Sequence, residues 1–186
     1  MKKLIVILAL VLHFAGFAQE EKKETKFYFN TEFSTPLRGN DDPDDEINYV
    51  KNQEKYWFLP DGLSVRAGSG FHYRRSIFLG LHTGIDLKGT AKFVAVPVFA
   101  NLKIAPRLSK TDEMRLFVNL GYGHAFALGR GDLSGKFMRG TLGIEGGVED
   151  KRNLSFFIDV SYYEIPLKNN PEGIGSISLG IALTFF

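Results

Sequence analysis

Residues 154–163 read Leu154-Ser155-Phe156-Phe157-Ile158-Asp159-Val160-Ser161-Tyr162-Tyr163, and one set of alternate positions in this stretch is uniformly apolar. A two-residue period is that of a β-strand with two different faces. Seven further segments alternate in the same way, so the sequence predicts eight strands, at 26–34, 62–73, 77–87, 93–104, 115–127, 137–148, 154–163 and 176–186. Each is long enough for a tilted strand to cross the hydrocarbon layer of a membrane, which takes roughly 9–11 residues.

The ionisable residues of these segments decide which face meets which solvent. Besides Lys26, the first residue of the first segment, four acids and four bases share the polar parity, and His124 alone breaks the apolar parity. These eight charged residues are Glu32, Arg66, Asp86, Lys103, Arg115, Arg139, Glu145 and Asp159. Because a basic side chain facing lipid at the bilayer middle costs about 2–4 kcal/mol, the clean parity indicates that lipid covers the apolar face. We therefore expect an all-β protein, an eight-stranded antiparallel up-and-down transmembrane β-barrel with a charge network in its lumen.

Strand order predicts which inward charges meet. Glu32 should lie beside Arg66 in the outer half of the barrel, and Arg115 beside Glu145 near the periplasmic end. The alternative is a soluble secreted binder of lipocalin type, with the apolar face turned inward. Its outer face should be rich in Lys, Glu and Thr, whereas the polar parity here carries many Gly and Phe residues.

The chain divides into three parts by composition. A basic start, a short apolar stretch and a small-x-small pattern at Gly16-Phe17-Ala18 predict a signal peptide over 1–18. Residues 19–25 form a charged leader, and the barrel follows over 26–186. The two signal lysines account for the net charge of +2, so nothing indicates a nucleic-acid partner. The absence of cysteine excludes disulfides, thiolate catalysis and cysteine-bound metals.

The connections between predicted strands alternate in length. The set at 35–60, 88–92, 128–136 and 165–175 is on average longer than the set at 74–76, 106–113 and 149–153. Outer-membrane barrels have long extracellular loops and short periplasmic turns. The first long connection carries an acidic cluster of candidate surface contacts, Asp41, Asp42, Asp44, Asp45 and Glu46. This cluster could bind Ca²⁺, join the cation lattice of lipopolysaccharide or contact an extracellular ligand, and its alternative is solvated charge.

Three features of the chain are typical of a known family: a signal ending in Phe17-Ala18-Gln19, eight alternating segments, and a final strand Ser176-Ile177-Ser178-Leu179-Gly180-Ile181-Ala182-Leu183-Thr184-Phe185-Phe186. In these features the chain resembles the small eight-stranded outer-membrane β-barrel proteins of the OmpA-barrel and OmpX type, a porin-like family. The resemblance implies a Gram-negative outer membrane with both termini in the periplasm. It also implies that Phe185 or Phe186 serves as the signal read by the outer-membrane assembly machinery.

The expected role is structural or surface interaction, without catalysis, metal or cofactor. Eight strands leave an interior just wide enough for side chains, so we expect a filled lumen. Inward glycines either make room for large side chains or leave a narrow water path beside Arg66, His82, Arg115 and Arg139. His82 could approach Asp159 or Ser178, which keeps a lipid A-modifying enzyme as one alternative. A narrow solute channel is another.

Overall fold

The structure is a computed structural model that describes residues 25–39, 58–89, 92–108, 114–128, 133–149, 151–165 and 173–186. All regular secondary structure within these residues is strand. The strands are β1 (Thr25–Gly39), β2 (Phe58–Pro60), β3 (Gly62–Tyr73), β4 (Ile77–Lys88), β5 (Phe93–Ile104), β6 (Arg115–Ala127), β7 (Ser134–Glu149), β8 (Arg152–Glu164) and β9 (Ile174–Phe185). The described residues contain no helix long and apolar enough to cross a membrane.

The eight long strands form a closed antiparallel barrel. Each pairs with its neighbour along the chain, β2 adds three residues beside the end of β1, and β1 also pairs with β9. Following paired residues once around the barrel from Leu154 leads to Glu164 on the same strand, a stagger of ten residues. Such a stagger corresponds to strands tilted by roughly 40°. The predicted eight-stranded transmembrane barrel is confirmed.

Several predicted strands are too short, mostly at one end of the barrel, although β8 also begins at Arg152 rather than 154 at the other end. β1 continues to Gly39 instead of ending at 34, because its last residues pair with β9 and with β2. β7 begins at Ser134 rather than 137, and β9 at Ile174 rather than 176. Alternation fades there because those residues lie beyond the lipid-facing band, while backbone pairing continues without it. β2 was not predicted as a separate strand.

The two ends of the barrel differ. We call the end that carries Thr25, the turn Arg74–Ser76 and Phe186 the terminal end. The opposite end, which carries Gly39, Lys88 and Ala127, is the loop end. The connecting residues that the structure does not describe lie mainly at the loop end, after β1, β6 and β8. The predicted signal peptide, and the leader except Thr25, lie outside the described residues.

Apolar side chains cover the outside and charged side chains fill the inside, which reverses the arrangement of a soluble protein. Leu120 is 58% exposed and Leu81 is 68% exposed, whereas Arg66 and Asp159 are 2% and 0% exposed. The same outward exposure holds for large apolar residues of every barrel strand. The alternative of a soluble lipocalin-like binder, with its apolar face inside, is therefore wrong.

A polar row marks the loop-end edge of the apolar outer surface. His124, Lys136 and Glu164 are consecutive partners across β6, β7 and β8, and all three are exposed. Lys136 and Glu164 form an ion pair at 3.1 Å. Both fell outside the predicted strands, so the one-sided parity of charge holds only for the part of each strand that faces hydrocarbon.

A charge placed on the middle of the outer surface should be costly. Leu120→Arg is expected to lower the unfolding free energy in lipid vesicles by about 2–4 kcal/mol, because a guanidinium there faces the bilayer midplane. Leu108→Arg is the matched control, since Leu108 is equally exposed at 58% but lies in a turn at the terminal end. It should cost about 0–1 kcal/mol. Denaturant titration measures both, and equal losses would contradict a lipid-covered outer face.

Candidate functional site

Two groups of packed side chains lie in the lumen, one toward each end. The loop-end cluster consists of Ala95, Phe99, Ala125, Ala127, Phe137, Tyr163, Ile165 and Ile174. The terminal-end cluster consists of Tyr28, Phe78, Ala105, Phe117, Phe157 and Ala182, with Phe186 packed against it. In the loop-end cluster the ring of Phe137 lies 5.0 Å from both the Phe99 and the Tyr163 rings, measured between centroids.

Inward glycines make room for these rings. A Cβ atom on Gly121 would lie 2.8 Å from the Phe99 ring, and one on Gly180 would lie 2.4 Å from the Phe157 ring. Each ring therefore occupies space that any larger residue on the neighbouring strand would take. Of the two roles considered for the inward glycines, the packing at these positions fits the first.

Between the clusters runs a network of buried charges centred on Arg66 and Asp159. Arg66 Nη1 donates to Asp159 Oδ2 at 3.0 Å, and its Nε and Nη2 donate to the two Asp86 oxygens at 3.1 and 3.0 Å. Arg139 Nε donates to the other Asp159 oxygen at 2.7 Å. The Tyr163 hydroxyl donates to Asp86. Bidentate contacts of this kind fix the relative positions of β3, β4, β7 and β8.

Glu32 faces Arg66 in the register, as the strand order predicts, but its carboxylate lies against another base. Glu32 Oε2 is 2.6 Å from Arg139 Nη1. Arg66 can reach away from Glu32 because its side chain lies over Gly84, where a Cβ would be 2.6 Å from Arg66 Cγ. The glycine thus redirects Arg66 toward Asp86.

A second group of charges lies nearer the terminal end. Lys103 Nζ is hydrogen-bonded to Glu145 Oε2, and both side chains are nearly fully buried. Arg115 is the register partner of Glu145, as predicted, yet its Nη1 donates to the Arg75 and Ala105 carbonyls at 2.7 and 3.3 Å. The ion pair of Glu145 therefore reaches across to β5, and Arg115 closes the terminal end against the turn.

Sequence reasoning missed Lys88 as a lumen residue because it placed 88–92 in a loop. Lys88 is 3% exposed, its ammonium donates to Ser176 Oγ, and it lies 5.6 Å from the centre of the Tyr163 ring. The signal was present, since Lys88 continues the inward parity of Asp86. Tyr28 and Tyr163 lie inside, as their place on the polar parity predicts, and both are buried.

The arrangement expected of a serine or histidine hydrolase is not formed around His82. Its Nε2 lies 3.3 Å from the Tyr28 hydroxyl, and its Nδ1 lies 3.9 Å from Glu32. The two partners suggested from sequence, Asp159 and Ser178, are not those with which the ring makes contact. Nor do the described residues hold three or more His, Cys, Asp or Glu side chains placed to bind a metal.

A small cavity of about 20 Å³ lies between the charge network and the terminal-end cluster. That volume holds one or two water molecules. Its walls include the buried amides of Asn30, Asn101 and Asn119, and the side-chain oxygen of each has no hydrogen-bond partner among the described residues. Buried amide oxygens of this kind are typical water ligands.

The two C-terminal phenylalanines point in opposite directions. Phe185 follows the outward parity, with its ring 6.3 Å from Phe29, whereas Phe186 packs at 5.0 Å against His72 inside the terminal end. The residue on the lipid side is therefore Phe185. The acidic candidates Asp41, Asp42, Asp44, Asp45 and Glu46 lie outside the described residues.

Known structures share this architecture. Neisserial surface protein A aligns over 88% of this chain and 99% of its own, at 12% identity and a TM-score of 0.60. The N-terminal β-barrel domain of Pseudomonas aeruginosa OprF aligns over 87% of this chain and 100% of its own, at 11% identity and a TM-score of 0.52. The chain has the fold of a small outer-membrane β-barrel protein. No protein-family model and no curated relative matches the sequence.

At this identity the likeness establishes the fold alone. It agrees with the sequence resemblance to small eight-stranded outer-membrane barrels, and it carries no residue roles. Any function must therefore come from the lumen and the surface of this chain.

Removing the shared acid of the network should be strongly destabilising. Asp159→Asn is expected to lower the unfolding free energy by about 3–5 kcal/mol, because Arg66 and Arg139 would lose a buried counter-charge. Glu164→Gln is the control, since it removes an acid from an exposed pair on the same strand and should change stability far less. Denaturant unfolding in vesicles measures both. Comparable effects would mean that the buried network adds little to the barrel.

Proposed function

We propose that the protein is an integral outer-membrane barrel with a structural or surface-interaction role, without catalysis and with a lumen closed by side chains. Both termini lie in the periplasm, and the long connections at the loop end face the outside. The observation that carries the proposal is the set of paired charges and packed rings that fills the interior from Lys88 to Phe186. A small cavity of about 20 Å³ lies among these residues.

The charge network supports a rigid base for surface loops. Asp159 joins Arg66 on β3 to Arg139 on β7, on opposite sides of the lumen, and Glu145 on β7 is joined to Lys103 on β5. Cross-lumen pairs of this kind resist changes in barrel shape. Loops attached to such a base can present an interaction surface without altering the membrane part.

The partners follow from the two surfaces. The apolar outer face requires membrane lipid, and the acidic cluster at 41–46 gives the first loop the chemistry to join the cations between lipopolysaccharide molecules or to meet an extracellular ligand.

Membrane fractionation tests the placement. The protein should be recovered with outer membranes, and it should migrate differently on a gel before and after boiling, because a folded barrel resists detergent. A soluble periplasmic protein of similar size is the control. Recovery in the soluble fraction would contradict the proposal.

Planar-bilayer recording tests the closed lumen. The purified protein should give no stepwise conductance at voltages that open a reference porin, because an aromatic cluster packs the lumen toward each end of the barrel. Discrete single-channel steps in the wild type would favour the narrow channel instead. A change in lipid A mass on overexpression would favour the enzyme.

The assembly signal can be assigned by separating the last two residues. Phe185→Ser should reduce the amount of barrel assembled in cells, because it interrupts the apolar alternation of the final strand. Phe186→Ser removes a ring from the lumen and should instead lower the stability of the assembled protein, with assembly retained. Immunoblots of outer membranes and vesicle unfolding distinguish these effects. The reverse assignment would place the signal on Phe186.

A further inference from the structure

The small cavity between the charge network and the terminal-end cluster is lined by polar groups from opposite walls of the barrel. Asn30 lies on β1, Asn101 on β5 and Asn119 on β6, and the three residues are 6%, 2% and 4% exposed. β1 and β6 are four strands apart in the ring of eight, so they face each other across the lumen. A molecule in the cavity would therefore join the two walls.

The amide oxygen is the unpartnered end of each of these asparagines. None of the three Oδ1 atoms has a hydrogen-bond partner within the described residues. The Asn30 amide nitrogen, by contrast, donates to Thr184 Oγ1 at 2.9 Å, and Asn101 is hydrogen-bonded to Tyr28. A buried acceptor left without a donor is costly, so three such oxygens in one cavity indicate that a ligand supplies the donors.

Unpartnered nitrogen atoms line the same cavity. His82 Nδ1 and Arg139 Nη2 have no hydrogen-bond partner in the part of the chain that the structure describes. The nitrogen of His82 lies 3.9 Å from Glu32 Oε1, which is beyond hydrogen-bond distance. A guanidinium nitrogen can only donate, so the ligand must accept a hydrogen bond from Arg139 as well as donate to the amides.

The charges around the cavity disfavour an ion as the ligand. Lys103 and Arg139 are in its wall together with Glu32, so a metal cation would lie beside two positive charges and one negative charge. An anion would face three amide oxygens and a carboxylate. Both bases already have counter-charges, because Lys103 pairs with Glu145, and Arg139 pairs with Asp159 and Glu32. These groups suit a small neutral molecule that both donates and accepts, and water is such a molecule.

We propose that the cavity is a binding site for two ordered water molecules, which are hydrogen-bonded to each other and bridge Asn30 on one wall to Asn101 and Asn119 on the other. The number follows from the donors. Two waters have four protons, and one of these forms the bond between them, so three remain for the three amide oxygens. The volume of about 20 Å³ is compatible with two waters. A water oxygen accepts from Arg139. The site goes beyond the proposed function, since it depends on the polar groups around the cavity and not on the loops.

Water–protein nuclear Overhauser measurements on the full chain, folded in detergent micelles, test the site. The side-chain amide protons of Asn30, Asn101 and Asn119 should show cross-peaks with water of the sign given by long-lived bound water, because aromatic clusters pack the lumen toward both ends. Asn153 is the internal control, since it is also buried but does not line the cavity. Its amide should show no such cross-peak.

A substitution that fills the cavity gives a second test. Ala182 is buried and lines the cavity, so Ala182→Val should abolish the water cross-peaks. It should also lower the denaturant midpoint of unfolding in lipid vesicles, because the amide oxygens lose their donors. A dry cavity would give a higher midpoint, since the added methyl groups would then fill empty space. Ala105→Val is the matched control, because Ala105 lies in the same terminal-end cluster but not in the cavity wall. It should leave the cross-peaks in place.

Four results would overturn the site. Wild type could lack the water cross-peaks at the three amides, or Asn153 could show cross-peaks of equal strength and the same sign. Ala182→Val could raise the unfolding midpoint. The wild-type midpoint could depend on whether sodium, potassium or choline is the cation at fixed ionic strength, which would indicate a bound metal cation in place of water. The spectra and the salt series use the wild-type chain, so they decide the question even where Ala182→Val does not fold.

These outcomes are separate from those of the proposed function. A dry cavity would leave that function in place, because a closed lumen needs packed ends and not a filled cavity. Failure of the proposed function would appear instead in the fractionation or in the conductance recordings.

Discussion

The exclusion of water from the outside of the barrel is the constraint on which the rest of the structure depends. Hydrocarbon offers no hydrogen bonds, so every backbone N–H and C=O group at membrane depth must pair within the protein. Pairing of β1 with β9 removes the two edges that an open sheet would leave. The same solvent keeps charges off the outer face at mid-depth, and they gather in the lumen, where each needs a partner because burial without one is costly.

That requirement explains how the interior is built. A lumen of eight strands is narrow, and long side chains such as Arg66 and large rings such as Phe99 can share it only where neighbouring strands carry glycine. The glycines also determine the direction in which charged side chains extend. Gly84 lets Arg66 lie across β4 toward Asp86, and Arg139 is then the base that lies against Glu32. The packing of rings and the pairing of charges therefore depend on the same glycines, and an aromatic cluster lies on each side of the charge network.

The sequence predicts the parts of this fold that depend on a two-residue period. Alternation predicts the first and last residues of β3, β5 and β6 correctly, and it predicts the inward position of Asp159. The register also follows, because the short turns fix it, so Glu32 faces Arg66 as expected. Alternation does not fix where the strands end above the hydrocarbon band, since β1 extends to Gly39 and β4 keeps the inward parity as far as Lys88. It is also silent on ion-pair partners, since a long side chain can cross the lumen to a strand that is not its neighbour, as Lys103 does to Glu145.

The most direct test of the account is a single-cysteine spin-label scan along β6 in lipid vesicles, which is clean because the chain has no native cysteine. Labels replacing Leu116, Val118, Leu120 and Tyr122 should collide readily with oxygen dissolved in the bilayer. Labels at Phe117 and Asn119 should be shielded from oxygen by the packed lumen. Higher oxygen accessibility at the inward positions than at the outward ones, or accessibility without a two-residue period, would contradict a barrel whose apolar face meets lipid and whose charges lie inside.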